Sequence, residues 1–272
     1  MTTFTQLAET YLACRATCSE HQSNVRRVAA AAGDATADNL NRYIKKRLTE
    51  RSTITVRNER GMLLSLWKHG WETGVLDTMP RGIVSFKTRR SPTRAWSLDQ
   101  LRRAVDLTFE HDERWLRSGA SRGELLRAWV LLGYECGARM GDLWGFHSDH
   151  VDGRVLRWTQ SKTGDPICRT LSTGCVEAIS AMLARSPDGR ILGWSCGKRQ
   201  GTRIMRQFLD AGQLPGTSKW LRRSGATHLE IEKPGSARLH LGHRSVGLAE
   251  RAYIDWGQVR ELTPATPELL VR

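Results

Sequence analysis

Several features that would place this chain outside the cell, in a membrane or around a metal are scarce. No apolar stretch approaches the ~18 residues of a membrane span, and Thr and Gln interrupt the N-terminus where the apolar part of a secretory signal would lie. The six cysteines (14, 18, 136, 168, 175 and 196) form no C-x-x-C pair and have no accompanying histidine ladder. This argues against a zinc site or a disulfide framework. Cys136 falls in an apolar run and reads as packing. Carboxylate clusters suited to Mg²⁺ are few, no internal repeat or low-complexity tract is present, and tyrosine occurs only at 11, 43, 134 and 253.

Basic side chains are plentiful. Among 272 residues, 39% of them hydrophobic, Lys and Arg number 42 against 28 Asp and Glu, a net charge of +14. The length suits two modest domains with real cores. The charge points to a polyanion, since each cation that neutralises a phosphate releases condensed counterions. Residues 1–93 hold 15 basic and 8 acidic side chains and residues 94–272 hold 27 and 20, so each half is +7. A single basic arm is excluded, and both halves are expected to meet the anion.

Residues 4–20 set Phe4, Leu7, Tyr11 and Leu12 on one helical face, and residues 37–49 do the same with Leu40, Tyr43, Ile44 and Leu48. A longer helix starts near Ser52 or Thr53, carries Val56, Leu63, Leu66, Trp67 and Trp71 inward, and stops at Gly74. Its other face shows Arg57, Arg60 and Lys68. Residues 1–88 thus read as a small helical bundle with a basic side. The basic, Pro-containing run Lys87, Thr88, Arg89, Arg90, Ser91, Pro92, Thr93, Arg94 reads as a linker at 89–94, and its cations suit a DNA backbone. Ser97 to Gln100 reads as a capping box opening a helix with Leu101, Val105 and Phe109 inward, and another helix spans about 121–136. Val155–Thr159 and Ile167–Leu171 can pair across Thr163-Gly164-Asp165 as a short antiparallel patch. Helices resume around 173–185, 198–211, 217–230 and 245–252. The fold class expected is mainly α (α+β): an N-terminal bundle, then a helical domain at 95–272 with a small antiparallel sheet.

Four stretches carry chemistry: G-A-R139-M-G-D-L, S-K162-T-G, K219-W-L-R222-R-S-G-A-T-H-L, and L-G-H243 followed ten residues later by Tyr253. A phosphodiester broken without a metal needs an in-line nucleophile, fixed cations on the non-bridging oxygens and an acid for the leaving oxygen. Arg139 and Arg222 are planar clamps able to hold two phosphate oxygens each. Asp142, three residues after Arg139, is placed to steady it. Lys219 and Arg222 share one side of a helix, while Arg223 lies about 100° further round and is assigned to DNA backbone or solvent. Tyr253 is the nucleophile: Tyr11, Tyr43 and Tyr134 fall on helix faces and read as packing. Singly, these are also what a surface Arg–Asp pair, a turn lysine or a structural histidine looks like; their order is the signal.

In that order they resemble the active site of the tyrosine recombinase (phage integrase) family. The resemblance implies a core-binding (SAM-like) DNA-binding domain at 1–88 and a catalytic domain at 95–272. It further implies strand cleavage and rejoining through a 3′-phosphotyrosyl link without metal, ATP or other cofactor. By it, Lys162 protonates the leaving 5′-oxygen and His243 hydrogen-bonds the scissile phosphate. Double-stranded DNA is the implied partner, with a homotetramer on paired sites and no membrane. The setting is the nucleoid-associated cytoplasm, or a host cytoplasm for a viral or mobile-element protein. Three departures stand out: Asp142 where Glu is usual, Lys219 where His is usual, and a His–Tyr spacing of ten rather than nine. They keep two other readings open, a catalytically inactive DNA-binding regulator of the same fold and a type IB topoisomerase-like relaxing enzyme. The segment after Tyr253, with Leu262, Leu269, Leu270 and Val271, reads by default as a frayed tail, and the resemblance implies docking on a neighbouring subunit as the alternative.

Overall fold

Hydroxyl caps set the helix starts of the N-terminal part. Thr3 and Gln6 form a capping box for α1 (Phe4–Ala13), Thr36 caps α3 (Ala37–Glu50) and Ser52 caps α4 (Thr53–Glu72); α2 (Ser19–Ala32) starts without a side-chain cap. The computed structural model describes residues 1–88, 91–242 and 246–261, and the chain divides into two units, Met1–Ser91 and Pro92–Arg272. The first unit closes over Phe4, Leu7, Leu40, Ile44, Val56, Leu63 and Leu66, each fully buried or nearly so. Each such side chain contributes about 1.5–3 kcal/mol of burial. Inside this core Glu59 accepts from Tyr43 Oη at 2.9 Å and from Arg47 Nε and Nη2 at 2.9 and 2.8 Å. The Arg47 hydrogen bonds hold its carboxyl below the usual range.

Two expectations for this unit change. The helix read over 4–20 ends at Ala13, and α2 is an addition to the expected elements, because its buried residues Val25, Val28, Ala29 and Ala32 all fall in its last eight positions and half of them are alanine. Trp71 is 45% exposed rather than inward, lying in the last turn of α4.

The second unit begins with α5 (Leu98–Phe109), opened by the Ser97–Gln100 capping box. Then come α6 (Arg122–Glu135) and α7 (Met140–Gly145). Strands β1 (Val151–Asp152), β2 (Val155–Thr159) and β3 (Pro166–Thr170) form one antiparallel sheet in that order, with Leu156 opposite Arg169 and Trp158 opposite Ile167. Five helices build the wall beyond the sheet: α8 (Thr173–Leu183), α9 (Lys198–Ala211), α10 (Lys219–Glu232), α11 (Ser236–Leu241) and α12 (Val246–Tyr253). A short α13 (Trp256–Glu261) comes last among the described residues. Trp129 of α6 and Trp144 of α7 meet edge to face at 4.6 Å within the buried core of this unit, to which Cys136 also belongs. Phe109, expected inward, is instead 55% exposed; it ends α5 and lies under the Arg127 guanidinium at 3.7 Å. The mainly α architecture with a small antiparallel sheet is the one expected from the sequence.

Candidate active site

A cavity of about 540 Å³ opens in the second unit where α6, α7, α10, α12 and the β2–β3 turn converge. Its floor is apolar, with Trp129, Ala138, Met140 and Leu143. Among its lining residues the titratable ones are five cations and a phenol: Arg139, Lys162, Lys219, Arg222, Arg223 and Tyr253. Cations set against an apolar wall attract an anion more strongly than they would in open water.

Arg139 reaches the cavity through a backbone device. The chain leaves α6 and turns at Gly137, whose φ of +57° and contact with the His240 ring leave no room for a side chain. Arg139 then takes the extended N-cap position of α7, φ −75° and ψ 155°. Its Nη1 donates to Gln160 Oε1 at 2.8 Å. The expected Asp142–Arg139 contact is replaced. Asp142 is buried, and its Oδ1 accepts from Ser161 N at 3.0 Å and Ser161 Oγ at 2.7 Å, tying α7 to the β2–β3 turn. Its Oδ2 is buried without a hydrogen-bond partner.

Lys162 occupies that turn and is exposed. The turn is closed by Gln160 N donating to Asp165 O at 2.9 Å and Gly164 N donating to Gln160 O at 2.9 Å. On α10, Lys219 lies exposed in the first turn, and Arg222 one turn later is 6% exposed. Arg222 Nη1 donates to Gly137 O, and its Nη2 to Leu241 O at 3.0 Å. Burial pulls this guanidinium below its ordinary pKa; Tyr253 opposes that shift and Arg139 adds to it. Arg223 also lines the cavity, where the sequence placed it on backbone or solvent.

Tyr253, at the end of α12, lies with its ring centroid 5.0 Å from the Arg222 guanidinium carbon. The next two residues fix it in its own chain. Ile254 is buried with Ala226, Ala237 and Leu241, Asp255 N donates to Thr227 Oγ1 at 2.9 Å, and Asp255 Oδ2 accepts from Ala95 N at 3.0 Å. His228, on α10, hydrogen-bonds Tyr134 Oη at 3.1 Å as a packed helix residue.

Five of the six residues assigned to catalysis thus line one cavity. The sixth, His243, lies outside the described residues, as do Arg89, Arg90 and the segment 262–272. Of the other cations assigned to DNA, Arg57, Lys68, Lys87 and Arg94 are exposed, whereas Arg60 Nε donates to Val84 O at 3.0 Å. Sequence reasoning missed Gln160, which is 1% exposed. The signal was available, because the alternation that buries Leu156 and Trp158 carries on to 160.

No family model and no curated protein matches the chain. Solved structures do. A lambda integrase dimer bound to a COC′ core site superposes with a TM-score of 0.77 at 17% identity, covering 98% of this chain and 81% of that one. A lambda integrase tetramer bound to a Holliday junction gives 0.71 at 17% identity, covering 99% and 80%. The Tn1549 transposon integrase in complex with a circular intermediate DNA gives 0.68 at 12% identity, covering 96% and 99%. At these identities the likeness is one of fold, and the chain has the fold of the tyrosine recombinases.

Proposed function

We propose that this protein is a site-specific DNA recombinase that cuts and rejoins strands through a 3′-phosphotyrosyl intermediate on Tyr253. The observation that carries the reading is the cavity gathering Arg139, Lys162, Lys219, Arg222 and Tyr253, with no carboxylate among the described residues that line it. Such a set suits a phosphodiester: two guanidiniums and an ammonium meet the non-bridging oxygens, and a phenol stands beside one guanidinium.

In the proposed reaction the Tyr253 oxygen attacks phosphorus in line, losing its proton, and the bond from phosphorus to the 5′-oxygen breaks. Lys162 gives the departing 5′-oxygen its proton. Arg139, Arg222, Lys219 and His243 hold the charge that develops on the non-bridging oxygens. A free 5′-hydroxyl from a second strand then attacks the phosphotyrosine, restoring the phosphodiester and the phenol. One phosphoester is exchanged for another in each step, so no ATP is needed. Because Ile254 and Asp255 pin Tyr253 to its own α10, attack occurs within the subunit whose cations bind the phosphate.

The first unit, through Arg57, Arg60 and Lys68, and the linker cations Lys87, Arg89, Arg90 and Arg94 supply contacts to duplex backbone, as does Arg223. Lambda integrase is found as a dimer on a core site and as a tetramer on a Holliday junction, which supports a tetramer on paired sites here. The test is to incubate wild type and Tyr253→Phe with pooled supercoiled and nicked DNA, denature, and capture DNA covalently attached to protein. Nucleotide mass on the Tyr253 peptide, absent from the variant, is expected, and sequencing the trapped DNA gives the target. Salt-dependent binding with no adduct across a genomic library favours a regulator; an adduct on another tyrosine overturns the assignment.

A further inference from the structure

Arg139 and Arg222 come from different helices, repel one another and face the same cavity, so something has to fix the distance between them. The Gln160 side chain does this with both ends of its amide. Its Oε1 accepts from Arg139 Nη1 at 2.8 Å and from Thr163 Oγ1 at 3.0 Å, and its Nε2 donates to Leu241 O at 3.0 Å. Leu241 O also accepts Arg222 Nη2 at 3.0 Å. The two guanidiniums are therefore joined through one amide and one carbonyl. The amide has a single workable orientation, since the flipped form would aim an NH₂ at a guanidinium and an oxygen at a carbonyl. Gly242 packs against this amide: with φ +61°, a Cβ there would lie 2.8 Å from Gln160 Nε2. The Gln160 backbone meanwhile closes the turn that carries Lys162.

We propose that Gln160 is a positioning residue, a neutral spacer that sets Arg139, Arg222 and the Lys162 turn at the separation one phosphate requires. The proposal rests on the strand-transfer reading above. Neutrality is what the position demands. A carboxylate of the same shape would accept from Arg139 but cancel the charge meant for the phosphate, and its other oxygen would face Leu241 O. A packing role makes the opposite demand, because Glu fills the space that Ala leaves empty.

The test uses full-length wild type, Gln160→Ala and Gln160→Glu, with thermal melting to establish that each is folded. DNA affinity and the rate of covalent adduct formation are measured on the duplex recovered by trapping, and inorganic phosphate binding is followed by ³¹P line broadening. DNA affinity is expected to stay within about twofold, because most phosphate contacts lie elsewhere. Adduct formation should fall about 10²-fold in Gln160→Ala, the order seen when a preorganised donor is lost, and further in Gln160→Glu. Phosphate binding should weaken in the same order. Both variants reacting within about threefold of wild type would overturn the proposal, and so would Glu outperforming Ala. If wild type forms no adduct but phosphate binding ranks as expected, the strand-transfer reading fails and the spacer stands; if that ranking is absent too, both fall.

Discussion

Replacing Arg222 by Lys keeps the charge and removes the geometry. Arg222 spans two carbonyls that end different segments, Gly137 O after α6 and Leu241 O at the end of α11. A lysine ammonium at the end of a single stem cannot reach both; Leu241 O keeps its bond from Gln160 Nε2, whereas losing the bond to Gly137 O costs about 1–3 kcal/mol. For a unit of this size each kcal/mol lowers Tm by roughly 2–4 °C, giving a fall of about 2–12 °C by calorimetry. Cleavage suffers more, because a planar clamp on two phosphate oxygens becomes a point charge. Adduct formation should drop about 10²–10³-fold, the effect of deleting one preorganised oxyanion donor. DNA affinity, dominated by other phosphate contacts, should change about twofold or less. A Tm within about 1 °C of wild type together with a rate within about threefold would show that Arg222 neither ties the two segments nor clamps the phosphate, and the whole assignment of the cavity would go with it.

Gly242→Ala places a Cβ against Ile167 and Gln160 at a φ of +61°, a left-handed position that costs a non-glycine residue about 1–2 kcal/mol. Adduct formation should fall at least tenfold while DNA binding by gel shift holds; an unchanged rate would mean the turn before His243 is not part of the site. Glu59→Gln breaks the hydrogen-bonded ion pair with Arg47, which keeps Glu50 at 2.8 Å, and should cost about 1–3 kcal/mol at pH 7. Because the folded pKa of Glu59 lies below its unfolded value, its contribution is present above the unfolded pKa and is lost as pH falls through the folded one. Urea titrations should therefore show the gap between wild type and variant narrowing below about pH 4, and a pH-independent gap would refute the pair's role. Arg57→Ala, on the exposed face of α4, should flatten the slope of log K against log salt by about 1 without changing site preference, and an unaltered slope would remove that face from the DNA contact.

What the sequence made legible was whatever depends on local periodicity or on a short motif. The helix start near Ser52, the capping box at Ser97, the helix over about 121–136, the β2–β3 turn, and the helices bearing Arg222 and Tyr253 all depend on residues within a few positions of one another. The missed elements are those whose apolar pattern is thin. Helix α2 has two valines among alanines, and α11 is six residues long. Side-chain partners across the fold were the least accessible. Arg139 finds Gln160 twenty-one positions away, and Gln160 finds Leu241 eighty-one away, so sequence spacing offered Asp142 instead. Gln160 itself was readable as a polar residue on the inward phase of β2, but a single buried glutamine names no partner until the backbone is closed around it.

The partners of the cavity arginines decide how much of their charge is left for a phosphate. Elsewhere in the molecule some arginines meet a carboxylate, Arg47 on Glu59, Arg127 on Asp112 and Arg185 on Glu124, and others tie segments through carbonyls, Arg60 on Val84 O, Arg154 on Leu171 O and Arg169 on Leu239 O and His240 O. In the cavity, hydrogen bonds that aim the guanidiniums run to the Gln160 amide for Arg139, and to the Gly137 and Leu241 carbonyls and the Tyr253 side chain for Arg222. Asp142, the carboxylate that attracts Arg222 through space, gives its Oδ1 to Ser161. A neutral acceptor orients a cation and leaves its charge in place, whereas a carboxylate orients and cancels it together. Holding two positive groups this way is unfavourable for the empty protein, and burial already pulls the Arg222 guanidinium toward its neutral form. The strain is relieved when a phosphate enters, and relieved most when the phosphate carries the extra charge of the transition state.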